Sequence, residues 1–521
     1  MDAFVQPLYE LADFDAIIRQ LKKPGIVQVS GCLDSQKAHF TNGLLREFPF
    51  RLIVAENDLK AKAFYEDFRL YDPEVLYYPA RDLIFYQADI HGNLLTRQRI
   101  QVLRALLERE EVTIVTSIDS CLDCLVPLAV WKEKVIKIRN DSEIDLDRMK
   151  RHLLELGYEW AAQVEVPGQF SIRGGIMDVF SLTEDNPWRI ELWGDEVDSI
   201  RSFDAESQRS IENLEEISIY PACELVLTAE ERQEGIKRIL KEADKVSAKL
   251  RKEMKTEEAH RTKSAAAQIA EEAGELGISA GLDAYLSYFC EERVSLLDYF
   301  NRENTVIFVD ELARSIERGM VTETEYSESM KQRLEKGYIL PGQMRELFSC
   351  KEILAKMEKM ACISLVALDL KNSHVDIKEK FVIDSKTVNP YNNSFDLLVK
   401  DLTRYKKNGY RVILLSGSRT RAKRLAEDLM AEELNAFYSE DFDHEVKPGE
   451  IMTGYGKIKK GYEYPLLKFV VISESDIFGS EKKKKKHHRT YEGEKIASFT
   501  DLNIGDYVVH ENHGLGIYRG I

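Results

Sequence analysis

The sequence is poor in cysteine and lacks any long apolar run. Seven cysteines are scattered over 521 residues, a sparse and odd number that favours a reducing compartment over a disulfide-bonded secreted fold. No apolar stretch approaches the roughly 20 residues of a membrane span. The segment from Met1 to Asp15 carries acids and no basic run, which is not the pattern of a signal peptide. We therefore expect a cytoplasmic protein with no membrane partner.

Basic residues are also in deficit. Lys and Arg number 73 against 90 Asp and Glu, which gives a net charge of −17 and argues against a surface that holds nucleic acid along its whole length. Protein partners or a local basic patch are the better expectation. Cys121 and Cys124 form a lone pair without the second ligand pair of a zinc site. We predict two buried apolar side chains there and no metal site.

The chain is long enough for several domains and has the pattern of an α/β protein. Apolar strand-like runs alternate with helical segments over residues 26–117 and again over 395–472, an order that predicts parallel sheets. A capping-box pattern opens the tract 228–275, which has almost no helix breakers and predicts a long helix or a helical hairpin. Residues 312–372 are also predicted to be helical.

Two segments have the outline of a nucleotide-binding site, and the first is incomplete. Gly31 and Lys37 are spaced as in a phosphate-binding loop, but Gln36 stands where the second glycine of such a loop is needed. The apolar strand that ends at Asp310 and Glu311 has the outline of one that presents metal-binding acids. Because acids without a phosphate cradle have nothing to act on, we predict a degenerate site, no catalytic residue and no cofactor in this chain.

Short strands between residues 167 and 203 carry the most informative pattern of the sequence. Apolar residues alternate there with charged ones around glycine turns, which predicts an antiparallel sheet with one buried face and one wet face. Pattern alone allows the charges to serve only solubility. The predicted wet face carries Arg173, Arg189, Glu191 and Arg201.

The order of these residues reads roughly G-x-F-x-x-R-G, then R-x-E-x-x-G-D-E, then I-R-x-F-D. It resembles a module shared by the bacterial excision-repair protein UvrB and the transcription-repair coupling factors (the Mfd family). In that family the module docks the damage-scanning ATPase UvrA. Segments 26–120 and 290–311 resemble the helicase-like domain of the same proteins, in a degenerate form. The resemblance implies that the UvrA-binding positions are Phe170, Arg173, Arg189, Glu191 and Arg201.

The C-terminal part of the sequence contains a basic run and a short hairpin pattern. Like-charge blocks repel one another, so the lysine-rich run predicts a linker. The following segment resembles the start of the Tudor-like β-barrel with which coupling factors bind the β subunit of RNA polymerase. Because two strands make only part of a barrel, we expect polymerase binding by this chain to be weak or lost. The resemblance implies polymerase contacts at Gly505, Val509, His510, Gly514 and Gly516.

The predicted fold is α/β: a degenerate helicase-like parallel-sheet domain with an inserted small β-rich UvrB-like module, a second small α/β domain and the start of a barrel. In chain order the predicted segments are 1–150 (first part of the α/β domain), 151–225 (UvrA-docking module), 226–372 (helical tract and return to the first domain), 373–478 (second α/β domain), 479–497 (basic linker) and 498–521 (start of the polymerase-interacting domain).

The resemblance implies the N-terminal half of a coupling factor, an adaptor that recruits UvrA to a polymerase stalled at DNA damage. In the full family protein, further motor domains bind ATP and Mg²⁺, translocate on duplex DNA and displace the polymerase. Two alternatives stay open. One is an active UvrB-like ATPase or damage-binding protein with Lys37 and Asp310 at its site, and the other is a non-catalytic scaffold.

Overall fold

The computed structural model describes residues 2–44, 47–81, 93–275, 282–369, 375–479, 507–510 and 514–517. The chain divides into two compact units, Met1–Gly479 and Ser480–Ile521. The first unit contains a large parallel sheet, a β-rich module and a second α/β sheet. The predicted α/β fold class is confirmed.

The N-terminal stretch alternates strands with helices, as its apolar pattern predicts. β4 is buried along its whole length and β1 along nearly all of it, as expected of parallel strands that are covered on both faces. The elements are α1 (Asp2–Val5), α2 (Phe14–Leu21), β1 (Gly25–Ser30), α3 (Asp34–Leu44), β2 (Phe50–Ala55), α4 (Asp58–Phe68), β3 (Leu76–Tyr78), α5 (Asn93–Glu108), β4 (Val112–Ser117), α6 (Ile118–Leu122) and α7 (Leu128–Glu133).

The β-rich module follows directly. Its main sheet has the order β11-β10-β9-β8-β7-β6, antiparallel except where β6 pairs with β7, and β5 pairs with β12 separately. The elements are β5 (Ile136–Arg139), α8 (Leu146–Glu155), β6 (Glu159–Trp160), β7 (Gln169–Arg173), β8 (Ile176–Val179), β9 (Trp188–Trp193), β10 (Glu196–Phe203), β11 (Ser210–Leu214) and β12 (Glu216–Ile219).

The breaker-poor tract forms a helical hairpin, which confirms that prediction. Its first helix begins with the predicted capping box between Thr228 and Glu231, and the two helices pack against each other. The chain then returns to the first sheet. The elements are α9 (Ala229–Lys252), α10 (Thr256–Glu275), α11 (Leu286–Phe289), β13 (Thr305–Asp310), α12 (Leu312–Glu335), α13 (Cys350–Met357), β14 (Ala361–Val366) and β15 (Ile377–Val382).

The prediction that residues 312–372 are helical throughout is wrong, because β14 lies inside this range as an interior strand of the large sheet, between β1 and β13. Every residue of β14 is buried, so its sequence has no period-two alternation to distinguish it from a buried helix. The edge strand β15 pairs with β1, so the large sheet includes residues that the sequence analysis assigned to the following domain.

The large sheet has the strand order β15-β1-β14-β13-β2-β4-β3. Its two faces pack into different cores. Ile53 and Val115 belong to the core that the second sheet also enters. Leu52 and Ile114, one residue away along the same strands, belong to the core formed with α12 and α13. Alternate side chains of each strand therefore connect the sheet to both layers.

The second α/β sheet has the order β16-β20-β21-β17-β19-β18. Ile413 and Phe469 on one of its faces share a core with Phe4 and Phe40 of the N-terminal helices. The elements are β16 (Lys386–Thr387), α14 (Phe395–Lys407), β17 (Arg411–Ser416), α15 (Arg419–Ala431), β18 (Ala436–Tyr438), β19 (Ile451–Tyr455), β20 (Tyr462–Tyr464), β21 (Phe469–Ile472) and α16 (Glu474–Phe478).

In the second unit, β22 (Tyr507–His510) and β23 (Gly514–Ile517) pair antiparallel. The second strand of this predicted hairpin begins at Gly514. Among the helices in the described part of the chain, none is long and apolar enough to cross a membrane.

Candidate functional site

The charged residues predicted on the module lie together on the outer face of its sheet. Residues paired directly across antiparallel strands project from the same face. One row across β7 to β10 consists of Ser171, Asp178, Arg189 and Arg201. The neighbouring row consists of Arg173, Ile176, Glu191 and Ser199. We call the face formed by these two rows and Trp193 the outer face.

Asp178 anchors two arginines of the outer face. It is 1% exposed, and its carboxylate accepts hydrogen bonds from Arg189 Nε at 2.7 Å and Arg189 Nη2 at 2.8 Å. Arg173 Nη2 donates to the same carboxylate at 3.1 Å. The hydrogen bonds to Asp178 raise the pKa of Arg189, and its guanidinium also lies 4.4 Å from the centre of the Phe203 ring. A buried acid therefore fixes the direction of both guanidinium groups.

Two cations of the outer face stay accessible although they are paired, whereas the Arg189 side chain is only 17% exposed. The Arg173 side chain is 51% exposed. Arg201 pairs with Glu191, and their side chains are 30% and 31% exposed. Ser199 Oγ donates to the other oxygen of Glu191 at 3.3 Å. The face thus presents fixed guanidinium and carboxylate groups to an incoming molecule.

Phe170 does not lie on the outer face. It is fully buried and pairs with Val179 on the opposite side of the sheet, in a core with Met177 and Ile190. The implied role of Phe170 in contacting a partner is therefore corrected: the ring supports the sheet from beneath. The position of Phe170 in the motif gives no indication of burial. Strand alternation, however, places Phe170 on the face of the sheet opposite to that of Arg173.

Besides the buried Asp178, the sequence analysis missed Trp193 on this face. It is 85% exposed and lies at the end of β9, before the turn at Gly194. It follows Arg189 and Glu191 at the same period of two, so alternation alone could have placed it on the outer face. Ile176 in the same sheet is 36% exposed. The outer face therefore combines fixed charges with a large exposed aromatic ring.

The attachment of the module to the first sheet depends on a buried ion cluster. Arg99 is 3% exposed, and its Nε donates to Glu224 at 2.6 Å. Arg81 pairs with the same carboxylate at 2.5 Å. Burial opposes the ionisation of Glu224, but the charges of Arg81 and Arg99 outweigh it and lower its pKa to about 2. Because Glu224 follows the last strand of the module, the cluster holds the end of the module against the first sheet.

The residues of the degenerate nucleotide site meet one another directly. Lys37 Nζ lies 2.5 Å from Asp310 Oδ1 and 2.7 Å from Glu311 Oε1. The three side chains are only 8%, 17% and 16% exposed. Burial alone would lower the pKa of Lys37, but the two carboxylates outweigh it and raise the pKa above its usual value. The lysine that would bind a phosphate is therefore neutralised by the acids that would bind a metal.

The loop before Lys37 is occupied by other parts of the chain. At Gly31, which has a φ of 86°, an added Cβ would lie 1.9 Å from the carbonyl oxygen of Ile383. The Gln36 amide accepts from Leu33 N at 3.0 Å and donates to the Tyr464 hydroxyl at 2.8 Å. These contacts use the loop's polar groups internally, which is the opposite of an open phosphate cradle.

His39, on the same helix, is fully buried between the two α/β sheets. Its Nε2 lies 2.7 Å from the Phe4 carbonyl oxygen, and its Nδ1 lies 2.9 Å from the Tyr464 hydroxyl. A carbonyl only accepts, so Nε2 carries the proton and Nδ1 accepts from the tyrosine. Burial lowers the pKa of His39 to about 4. The neutral imidazole therefore links the N-terminal helices α1 and α3 to the second sheet.

The remaining predicted site residues are those for polymerase binding and the two cysteines. Val509, His510, Gly514 and Gly516 lie in the hairpin β22–β23, and Gly505 lies outside the described residues. Among the residues that the structure describes, no group of three or more His, Cys, Asp and Glu could hold a metal ion. Cys121 and Cys124 are buried, as predicted.

Two family models match parts of the chain. The UvrB interaction domain matches residues 136–225, which include the outer face. The CarD-like/TRCF RID domain matches residues 502–521. Both matches fall where the sequence patterns indicated a distinct segment.

Relatives match over nearly the whole chain. A transcription-repair-coupling factor of Bacillus subtilis is 33% identical over 100% of this chain and 44% of its own length. Proteins of the same name from Staphylococcus epidermidis and Staphylococcus haemolyticus are 28% and 29% identical over 95% of this chain and 42% of their own lengths. The chain thus spans less than half the length of these relatives.

Proposed function

The chain corresponds over its whole length to the N-terminal part of the transcription-repair-coupling factors, and from this premise we propose that it is the adaptor part of such a factor. In transcription-coupled nucleotide excision repair, the adaptor recruits UvrA to the place where RNA polymerase has stalled at damaged DNA. We propose that the adaptor acts in the cytoplasm, where the polymerase and the damaged DNA are found.

The observation that carries the proposal is the construction of the outer face. Asp178 is buried while Arg173 above it is half exposed, so the guanidinium is held in one direction without being hidden. An arginine that is already fixed loses less conformational entropy on binding than a free one. Trp193 supplies the exposed aromatic ring that interfaces commonly use as an anchor. We assign UvrA as the partner of this face because residues 136–225 match the UvrB interaction domain.

The closed nucleotide-like site favours an adaptor over an active ATPase. A phosphate would have to displace Asp310 and Glu311 from Lys37 and enter a loop that Ile383 already contacts. We therefore propose that this chain works without a nucleotide of its own, and that ATP and Mg²⁺ act in the motor part of the complete protein. A nucleotide titration that gave saturable binding by this chain would contradict this part of the proposal.

RNA polymerase and duplex DNA are further partners that we propose for a protein of this family. The match at residues 502–521 supports contact with RNA polymerase by that segment. We propose that translocation on duplex DNA and displacement of the polymerase belong to the motor.

The test measures binding of purified UvrA to the full chain and to Arg173→Glu, at low and moderate salt. We expect the variant to lose at least about tenfold in affinity, because charge reversal removes a fixed ion-pair donor. Arg151→Glu is the matched control, since Arg151 is exposed on α8 of the same module and away from the outer face.

The control should bind UvrA within about twofold of the unchanged chain, a difference well under about 1 kcal/mol. Circular dichroism should show the same fold for all three proteins. Equal losses in both variants, or no binding by a correctly folded unchanged chain, would overturn the assignment of the outer face to UvrA.

A further inference from the structure

A second charged surface lies at the carboxyl edge of the second α/β sheet, far along the sequence from the module. Strands β17 and β19 are parallel neighbours whose last residues, Ser416 and Tyr455, lie in register. The loops that follow them therefore leave the sheet at the same edge. The first turn of α15, which follows the first loop, and the loop after β19 are rich in basic residues, in a chain whose net charge is −17. We call Arg419, Arg421, Lys457, Lys459 and Lys460 the basic edge.

Hydrogen bonds connect the two loops of the basic edge through α16. Glu474 accepts from the backbone N–H of Gly417 at 2.9 Å and from Arg421 Nη1 at 2.8 Å. The neighbouring Ser475 donates to the carbonyl oxygen of Lys459 at 2.7 Å. The basic residues in the first turn of α15 and those in the loop after β19 therefore border one continuous surface.

Part of the positive charge on this surface has no ion-pair partner. Glu474 pairs with Arg421, and Asp34 pairs with Lys460. In the described part of the chain, no carboxylate forms an ion pair with Arg419, Lys457 or Lys459, and all three are exposed. Three cations without an ion pair thus remain on the basic edge, and of these Lys459 interacts with the charge of the buried Asp67, which accepts its backbone N–H at 2.7 Å.

The helix α15 has its cations at the end where they cost stability. Arg419 and Arg421 lie in its first turn, which contains no acid, whereas the helix dipole favours negative charge there. Glu474 already supplies one carboxylate at this end and pairs with Arg421, so an external anion would mainly satisfy Arg419. The arrangement favours binding over stability.

We propose that the basic edge binds the phosphate backbone of duplex DNA, independently of sequence, through Arg419, Lys457 and Lys459. Duplex DNA carries about one negative charge per 1.7 Å of its axis, and Lys and Arg contacts release its counterions. Tyr455 is the exposed ring of this edge at 51%. Proteins that hold single strands use several stacked aromatic rings, so the duplex fits better. This surface goes beyond the proposed UvrA docking and gives this part of the chain its own DNA contact.

The test uses the full chain and a fluorescent duplex of about 30 base pairs, with binding followed by anisotropy at several salt concentrations. The variant Arg419→Glu/Lys457→Glu/Lys459→Glu reverses the three charges that form no ion pair. The control Lys241→Glu/Lys245→Glu/Lys249→Glu makes the same charge change on exposed positions of α9. Arg419→Gln/Lys457→Gln/Lys459→Gln serves as a second variant if charge reversal impairs folding.

We expect the basic-edge variant to lose at least about tenfold in affinity at moderate salt, and its salt dependence to become shallower by about 2 to 3 in log–log slope, since each phosphate contact contributes about 0.9. The control should change affinity by less than about threefold and leave the slope unchanged. Equal effects of the two variants, or no binding by the unchanged chain at low salt, would overturn the proposal.

Two further arms test other sources of the same signal. Replacing the run Lys482–Lys486 by glutamine should leave binding that still depends on the basic edge; complete loss of binding would assign the DNA contact to that run and overturn the proposal. A single-stranded probe of equal length should bind more weakly than the duplex. Tighter binding of the single strand would overturn the choice of duplex DNA.

Discussion

The degenerate nucleotide site and the outer face of the module use the same pairing of basic and acidic side chains with opposite results. At the first, Lys37 is 8% exposed and its two acids are 17% and 16% exposed, so the pairing closes the site. At the second, Asp178 is 1% exposed but Arg173 above it is 51% exposed. A cation that is buried with its acids is not accessible to a ligand. A buried anion, in contrast, holds an exposed cation in place so that a partner can bind it.

The largest expected effect is on the closed side of this comparison. Lys37→Met leaves Asp310 and Glu311 as buried charges without their cation, and we expect the free energy of unfolding to fall by about 3–5 kcal/mol. Urea denaturation measures it. Lys22→Met is the control, because the pair of Lys22 with Glu47 is about half exposed and should matter by less than about 1 kcal/mol. Equal costs would break the comparison.

Phe170 and Trp193 test the two sides of the module sheet. Phe170→Ala should lower the free energy of unfolding by about 3–5 kcal/mol, because it opens a cavity in the core. Trp193→Ala should change it by less than about 0.5 kcal/mol and yet weaken UvrA binding by about 30-fold, the loss of an interface anchor of about 2 kcal/mol. Urea denaturation and a binding titration separate the two. A stable Trp193→Ala chain with unchanged affinity would remove Trp193 from the docking face.

His39 gives the closed side a dependence on pH. The folded protein holds the imidazole pKa at about 4, below the value of about 6.5 in an unfolded chain. The unfolded state therefore binds the extra proton first, and stability that is complete above about pH 6.5 is lost as pH falls towards 4, by up to about 3 kcal/mol. Urea denaturation of the unchanged chain and of His39→Gln at pH 7, 5.5 and 4.5 measures it. The same pH dependence in both proteins would contradict the assignment.

The smallest effect is expected at the second pair of the outer face. Arg201 and Glu191 are 30% and 31% exposed, and ion pairs of this kind contribute less than about 1 kcal/mol to stability. Arg201→Ala should therefore leave the free energy of unfolding nearly unchanged in urea denaturation while weakening UvrA binding several-fold. Breaking a buried ion pair costs about 3 kcal/mol. A stability loss of that size in Arg201→Ala would mean that this pair resembles the closed Lys37 cluster and is not part of an open docking face.

Local sequence pattern predicted the outer face because strand alternation is a short-range property. Arg173, Arg189 and Glu191 lie where the period of two places them. Phe170 was assigned from its place in a motif, and burial contradicted that assignment. Trp193 obeys the same alternation as the arginines, but a residue at the edge of a turn is easily left out of a strand pattern.

Long-range contacts were beyond the sequence pattern. The separate halves of the nucleotide-like site were recognised, but Lys37 and Asp310 are 273 residues apart in the chain, and only the folded sheet brings them into contact. The contact of Ile383 with Gly31 depends on the edge strand β15, which the sequence analysis did not assign to this sheet. The basic edge likewise depends on two loops that only the parallel pairing of β17 and β19 brings together.

The strand order of the large sheet also sets the order in which the chain can fold during synthesis. β1 lies between β14 and β15, so neither of its neighbours exists until the ribosome has made the chain as far as Ala361–Val366. The strands of the module's main sheet all fall between Glu159 and Leu214 and can pair as soon as they emerge. Contacts that are close in sequence form faster than distant ones. We therefore expect the docking module to be folded while β1 still awaits its partners, a nascent-chain interval in which chaperones would bind the first α/β domain and not the module.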